Sequence, residues 1–214
     1  MMIQNPFVDI NNPMVIALSL AIITAIIGPI LVAKYKAYQI KKNTKKDPLI
    51  SSIESNKLVD EQLKEIKNTL NVDRIWVSQF HNGGNFFPTG KSISKFSITF
   101  EHTSPGVPSL SEVFKNIPVS LFNEPLKELY ENNEALIPDF KNDERLGLNK
   151  FTTPHPPKST YMFSLKSLNS DFIGNLGIEY VNEATILEEG DIQFIRNKAI
   201  IIGTIISTYL YKKD

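Results

Sequence analysis

Cysteine is absent from this chain. That excludes disulfides, thiolate catalysis and zinc or iron–sulfur sites held by cysteine. Histidine is scarce: His81, His102 and His155 stand far apart, and no metal-ligand spacing such as H-x-x-x-H occurs. There is no phosphate-binding P-loop, kinase signature, nucleophile elbow or zincin helix. No constellation carries a reaction, so no enzyme, no metal and no cofactor is expected. Net charge is zero, and nucleic acid is not an expected partner. Basic residues are missing altogether from residues 1–33, whereas Lys34, Lys36, Lys41, Lys42, Lys45 and Lys46 crowd the positions just after.

What the N-terminus has instead is a long apolar run. Met14 to Ala33 carries no charge, and Ser19 and Thr24 are its polar side chains. A helix of this length rises about 30 Å, the thickness of a bilayer's hydrocarbon core. Asn12 and Pro13 supply a start signal, with proline at the first helical position where its missing N–H costs nothing. A cleaved signal peptide would have its basic stretch before the apolar run, not after it. The expectation is a single transmembrane helix over 14–33, preceded by a short extracytoplasmic segment, 1–13, and followed by a basic juxtamembrane segment, 34–48. Positive flanks stay cytoplasmic, which puts the N-terminus outside and the rest of the chain inside. The six lysines are then candidate membrane-surface residues, attracted to anionic lipid at about 1 kcal/mol each, or a solvated extension of the helix.

Residues 49–214 read as one soluble domain. Val59, Leu63, Ile66 and Leu70 form one stripe of an amphipathic helix. Arg74 to Phe80 is a strand, ended by a turn at Asn82-Gly83-Gly84, and a second strand runs from about Ser92 to Glu101. Ser109 and Glu112 have capping-box spacing and suggest a short helix to about Lys115. A further helix is expected from Asn123 to about Asn132, then a short strand at Ala135–Ile137. Ser159–Leu165 and Phe172–Val181 follow as a hairpin. Thr185 with Glu188 suggests another capping box, opening a helix whose stripe runs through Ile192, Ile195, Ala199, Ile202, Ile206 and Tyr209. Antiparallel strands between long terminal helices argue for an α+β fold with the helices packed on one face of the sheet.

The candidate ligand site is the end of the first strand. Gly83 and Gly84 let a backbone approach a ligand, His81 and Asn82 supply donors and acceptors, and Phe86 and Phe87 can cover a pocket. A plain turn, in which Asn and Gly accept positive φ, explains the first four residues equally well.

The segment Ile173-Gly174-Asn175-Leu176-Gly177-Ile178-Glu179, followed by Thr185 to Ile195, resembles the last strand, acidic helix start and final apolar helix of the GAF family. The resemblance covers residues 50–211 in topology. It implies a GAF/PAS-like antiparallel sheet with flanking helices and a ligand pocket on the other face, roofed by loops and short helices. It further implies a sensory or interaction module in signalling, binding a small ligand or protein partner and pairing as a homodimer through its terminal helices; the apolar run adds a bilayer anchor, and the lack of a reactive constellation makes the module non-catalytic. Thr160-Tyr161-Met162-Phe163-Ser164, ahead of a strand containing Gly174, is also similar in style to the T-even phage holins. That likeness implies instead a membrane-permeabilising protein with a regulatory domain outside the inner membrane, against the orientation set by the lysines.

Overall fold

The computed structural model describes residues 47–143 and 155–210, together with 13, 14, 17 and 31–36. The chain divides into two units, residues 1–47 with Asp214, and Pro48–Lys213. The span expected over Met14–Ala33 falls mostly outside the described residues, as do Lys41, Lys42, Lys45 and Lys46. Lys34 and Lys36 lie in the helical stretch 31–36 and are exposed. Among the described residues no helix is long and apolar enough to cross a membrane.

The second unit opens with helix α1, Pro48–Leu70. Its stripe buries Val59, Leu63 and Ile66. Asn71 ends it at φ 51°, and the Val72 N–H reaches back to the Lys67 carbonyl at 3.1 Å. This is the 6→1 bond of a left-handed helix stop, with buried Val72 as the apolar residue that closes it.

Strands β1 (Arg74–Asn85), β2 (Ser92–Thr103) and the short β3 (Ile117–Pro118) follow. Next come a 3-10 turn (Val119–Phe122), helix α2 (Asn123–Asn132), and strands β4 (Glu134–Ile137), β5 (Ser159–Lys166) and β6 (Phe172–Tyr180). Helix α3, Glu189–Leu210, completes the described unit. The six strands form one sheet in the order β3-β2-β1-β6-β5-β4. Every pairing is antiparallel.

Residues opposite one another in an antiparallel pair share a face, and alternate residues take opposite faces. Ile75 and Val77 of β1, Leu176 and Ile178 of β6, and Tyr161, Phe163 and Leu165 of β5 therefore turn to one side. There they pack with the stripes of α1 and α3 in the main core. Trp76 and Met162 turn to the other side and meet Leu129 of α2 with Ala135 and Ile137 of β4 in a second cluster. Helix α3 lies so close to β5 that a Cβ on Gly203 would stand 2.6 Å from the Lys166 carbonyl oxygen. Only glycine permits that approach.

Three local expectations change. The first strand does not turn at Asn82-Gly83-Gly84: pairing continues through His81–Lys95 and Asn82–Ser94 to Asn85–Ser92. The glycines are absorbed in a bulge, Gly84 at φ 101°. The turn itself is Phe86–Lys91, closed by Gly90 N–H to Phe86 O and Phe86 N–H to Lys91 O, both 2.8 Å. Residues 111–116 form turns and bends rather than a helix. Ser109 Oγ accepts the Ser111 N–H at 3.2 Å, but the Glu101 carboxylate of β2 also takes the Leu110 and Ser111 N–H groups, at 2.7 and 3.2 Å, and ties the segment down as a turn. At the last helix the cap lies three residues later than expected. The Ile192 N–H bonds the Glu188 carbonyl at 3.0 Å, and Asp191 accepts the Glu188 N–H at 3.4 Å. Thr185 is held elsewhere, its N–H on Ser159 Oγ at 2.9 Å.

Candidate functional site

On the sheet face turned away from α1 and α3 lies a cavity of about 80 Å³. Its floor follows from the strand register. Arg74 of β1 stands opposite Glu179 of β6, which stands opposite Thr160 of β5. One step along, Trp76 faces Gly177, and Gly177 faces Met162. Gly177 is what lets the indole lie across β6, because a Cβ there would meet Trp76 Cζ2 at 2.1 Å. The next row pairs Ser78 with Asn175, whose side chains are hydrogen-bonded to each other and both buried.

The roof is built from the segments between β2 and β5. Leu110 and Phe114 come from the loop that Glu101 holds down, Phe122 from the 3-10 turn, Leu126 and Leu129 from α2, and Phe140 from the segment after β4. Phe96 of β2 meets Phe122 edge-on, with ring centroids 5.2 Å apart, and Phe114 lies 6.5 Å from Phe96. The lining is mainly apolar and aromatic.

One charged pair interrupts it. Arg74 is wholly buried and the Glu179 side chain is 8% exposed. Arg74 Nε donates to Glu179 Oε2 at 2.7 Å, and Nη2 lies 2.6 Å from the same oxygen. Arg74 Nη1 donates to the Pro108 carbonyl at 2.9 Å, tying the roof loop to the floor. Trp76 Nε1 donates to Glu179 Oε1 at 3.3 Å. Burial pushes the Glu179 carboxyl above the usual carboxylate range, with Arg74 and the Trp76 hydrogen bond pulling against it. The pair is mutually neutralised, so neither member is a free acid or base. Thr160 Oγ1, on the same floor, is buried without a hydrogen bond.

The residues expected to bind ligand lie elsewhere. His81 bonds Ser97 Oγ through Nε2 at 2.9 Å, and Asn82 is exposed opposite Ser94. Gly83 and Gly84 form the bulge, and Phe86 and Phe87 sit at the hairpin end with 52% and 98% of their surface exposed. The structure brings these six together along one end of the β1–β2 ribbon, and none of them lines the cavity. Sequence reasoning passed over Arg74, Trp76, Thr160 and Glu179. Glu179 carried a signal, since a charged residue inside an otherwise apolar strand is unusual enough to mark a paired, buried site; Arg74, the first residue of its strand, did not.

No protein-family model and no curated protein matches this chain. Solved structures do match in fold. A far-red cyanobacteriochrome photoreceptor aligns over 86% of this chain and 100% of its own, at 15% identity and a TM-score of 0.58. The blue-light absorbing form of the Thermosynechococcus elongatus PixJ GAF domain aligns over 75% and 89%, at 13% identity and a TM-score of 0.59. The GAF domain/HD domain protein from Geobacter sulfurreducens aligns over 73% and 94%, at 12% identity and a TM-score of 0.54.

The fold is GAF-like. At these identities the likeness establishes architecture alone. It covers the antiparallel sheet and its helices, and the likeness to phage holins gains no support from these structures. In the GAF-like frame, the cavity occupies the face opposite the terminal helices, where the family resemblance implied a pocket.

Proposed function

We propose that this chain is a membrane-tethered, GAF-like sensory or interaction module that binds a small ligand in the cavity and catalyses no reaction. The observation that carries the reading is the roofed apolar cavity with a few converging polar groups, the usual form of a small-molecule site. The neutralised Arg74–Glu179 pair offers positioning rather than acid–base chemistry.

Transmission follows from the sheet. On β6, Glu179 and Asn175 line the cavity, while Ile178 and Leu176 between them belong to the core under α1 and α3. A ligand that favours one placement of β6 thereby biases the packing of both helices, a population shift rather than a push. Both helices keep apolar surface exposed, at Ile53 and Leu58 on α1 and at Ile200 and Ile201 on α3, which supports pairing with a second copy. Phe86 and Phe87 offer a separate contact for a partner, beside His81, Asn82, Gly83 and Gly84. Tethering rests on Met14–Ala33 and the lysines behind it, with the domain on the cytoplasmic side.

The test is a thermal-shift screen of the full chain in nanodiscs against a broad small-molecule panel, run beside Leu126→Trp, which thickens the roof. Binding in the cavity predicts compounds that raise the Tm of the wild type and not of the variant. Equal responses from the two would place binding elsewhere and defeat this reading.

A further inference from the structure

We propose that the tip of the β1–β2 hairpin docks into an anionic bilayer surface, with Phe86 and Phe87 entering the interface and Lys91 and Lys95 meeting the headgroups. This names the partner for the aromatic contact and rests on the tether, not on the cavity. Phe86 and Phe87 are both exposed. Two adjacent phenylalanines left in water at one tip are a patch rather than scattered exposure. Charge chooses what covers them. From Arg74 to Phe100 there is no Asp or Glu, so the distal hairpin carries Lys91, Lys95 and His81 with no acid among them. Lys91 is exposed, and the Lys95 stem runs across Gly83, in the space a Cβ would take. Aromatics flanked by cations suit the interface of a bilayer with anionic headgroups.

The fold carries this tip to the end of the domain where α1 begins. Helix α1 and strand β1 run in opposite directions. Lys67 Nζ donates to Val72 O and Ser104 Oγ at 2.9 and 2.7 Å, and Asp60 meets His102 at 2.6 Å. Further toward the start of α1, Ser55 and Val59 share a cleft with Gln79 and Thr99. From that cleft α1 has roughly 10 Å of helix left to its start at Pro48. Strand β1 has about 20 Å left to Asn85, with the phenylalanines beyond it. The tip therefore projects past the start of α1. The β5–β6 turn lies at the same end, tied to the end of α3 by Leu168 N–H to Ser207 Oγ at 3.1 Å. Its Leu168 is exposed, as are Leu49 and Ile50 in the first turn of α1, so apolar side chains of three segments mark one end. Asp171 of that turn accepts from Ser167 Oγ at 3.1 Å. In the chain, α1 follows directly on the lysine-rich segment. A tether in the bilayer thus makes docking of the tip intramolecular, and a weak contact suffices.

The experiment uses the full chain in vesicles, with an environment-sensitive dye on a single introduced cysteine. Thr89→Cys puts the dye in the exposed hairpin turn and keeps both phenylalanines. Glu183→Cys puts it at the other end of the sheet, where the Asn182 N–H bonds Asp73 just ahead of β1. The vesicles are phosphatidylcholine alone or in equal parts with phosphatidylglycerol, and they carry nitroxide-labelled lipid as a contact quencher. In the mixed vesicles the Thr89 dye should shift to the blue and be quenched, and the Glu183 dye should do neither. Lys91→Gln should lower the docked-to-free ratio about fivefold. Phe87→Ser should lower it about tenfold, and phosphatidylcholine alone should lower it at least as far as Lys91→Gln does. Both variants should melt with the wild type, because both side chains are exposed. Flotation with the vesicles reads the tether, and quenching reads the tip. A chain that floats with its Thr89 dye unquenched overturns this inference and leaves the tether standing, whereas a chain that does not float overturns both. A blue shift without quenching would show the tip covered by protein. Equal quenching in the two lipids, or in Lys91→Gln, would show no selection by charge. Either result overturns the proposal.

Discussion

Arg74 and Glu179 set the energetics of the cavity floor one side chain at a time. Replacing Glu179 by Gln leaves the Arg74 charge buried without its counter-ion, and the expected cost is about 3–5 kcal/mol in urea unfolding. Gly177→Ala acts by shape instead. Its methyl would enter the space of the Trp76 ring, so the indole must leave the floor and its bond to Glu179. About 1–3 kcal/mol of destabilisation is expected from such crowding, and the single tryptophan should report it as a red-shifted emission. Tyr180 makes a different prediction. Burial first, then the neighbouring Tyr161, Asp191 and Asp73, push its phenol up to about 12. The neutral form is the one that donates to the Leu70 carbonyl, at 2.9 Å, at the end of α1. A raised acid binds its proton more tightly in the folded state. Its contribution to stability is therefore whole below the ordinary tyrosine pKa of about 10 and is lost as pH rises toward 12. Alkaline unfolding of Tyr180→Phe should lack that component, and ultraviolet titration should show one phenol fewer ionising near 12.

Elements were legible where one periodicity governs burial. The steps Val59, Leu63, Ile66 and Ile192, Ile195, Ala199, Ile202 fall on helix faces that are buried as expected. The β-branched and aromatic content of Arg74–Phe80, and the stretch Ser159–Leu165, marked strands that are present in the sheet. Turns and caps were harder, because they depend on which distant group supplies the hydrogen bond. Glu101, brought from another strand, binds the 110–111 backbone and holds the Ser109–Glu112 segment as a turn rather than a helix start. Gly83–Gly84 became a bulge because β2 offered partners on both sides of it. The same contrast predicts unequal tolerance to mutation. Ile195→Ala in the core between α3 and the sheet should cost about 2–5 kcal/mol. Phe87→Ser at the hairpin end, where 98% of the side chain is exposed, should change stability by less than about 0.5 kcal/mol. Urea titrations of the two variants measure the difference.

For the molecule as a whole, the proposed tether predicts which side of a bilayer the domain occupies, and the lack of cysteine lets introduced cysteines report it. Single cysteines placed at Asn5 and at exposed Glu183 would be treated with a membrane-impermeant thiol reagent in intact cells. Labelling at Asn5→Cys with protection at Glu183→Cys until lysis is the expected pattern. The reverse pattern would overturn the orientation argued from the lysines and favour the pore-forming alternative.

The sequence alone determined the features that depend on local pattern: an apolar stretch from Met14 to Ala33, lysines on one side of it, and the helical stripes and β-rich runs that make an α+β sheet between two helices. These signals are short-ranged, so they survive without knowledge of the fold. The site did not belong to that class. Arg74, Thr160 and Glu179 are separated by long stretches of chain, and only the pairing of β1, β6 and β5 sets them side by side under a common roof. Tertiary structure decided that these three, rather than the glycines and aromatics at the hairpin end, face the cavity.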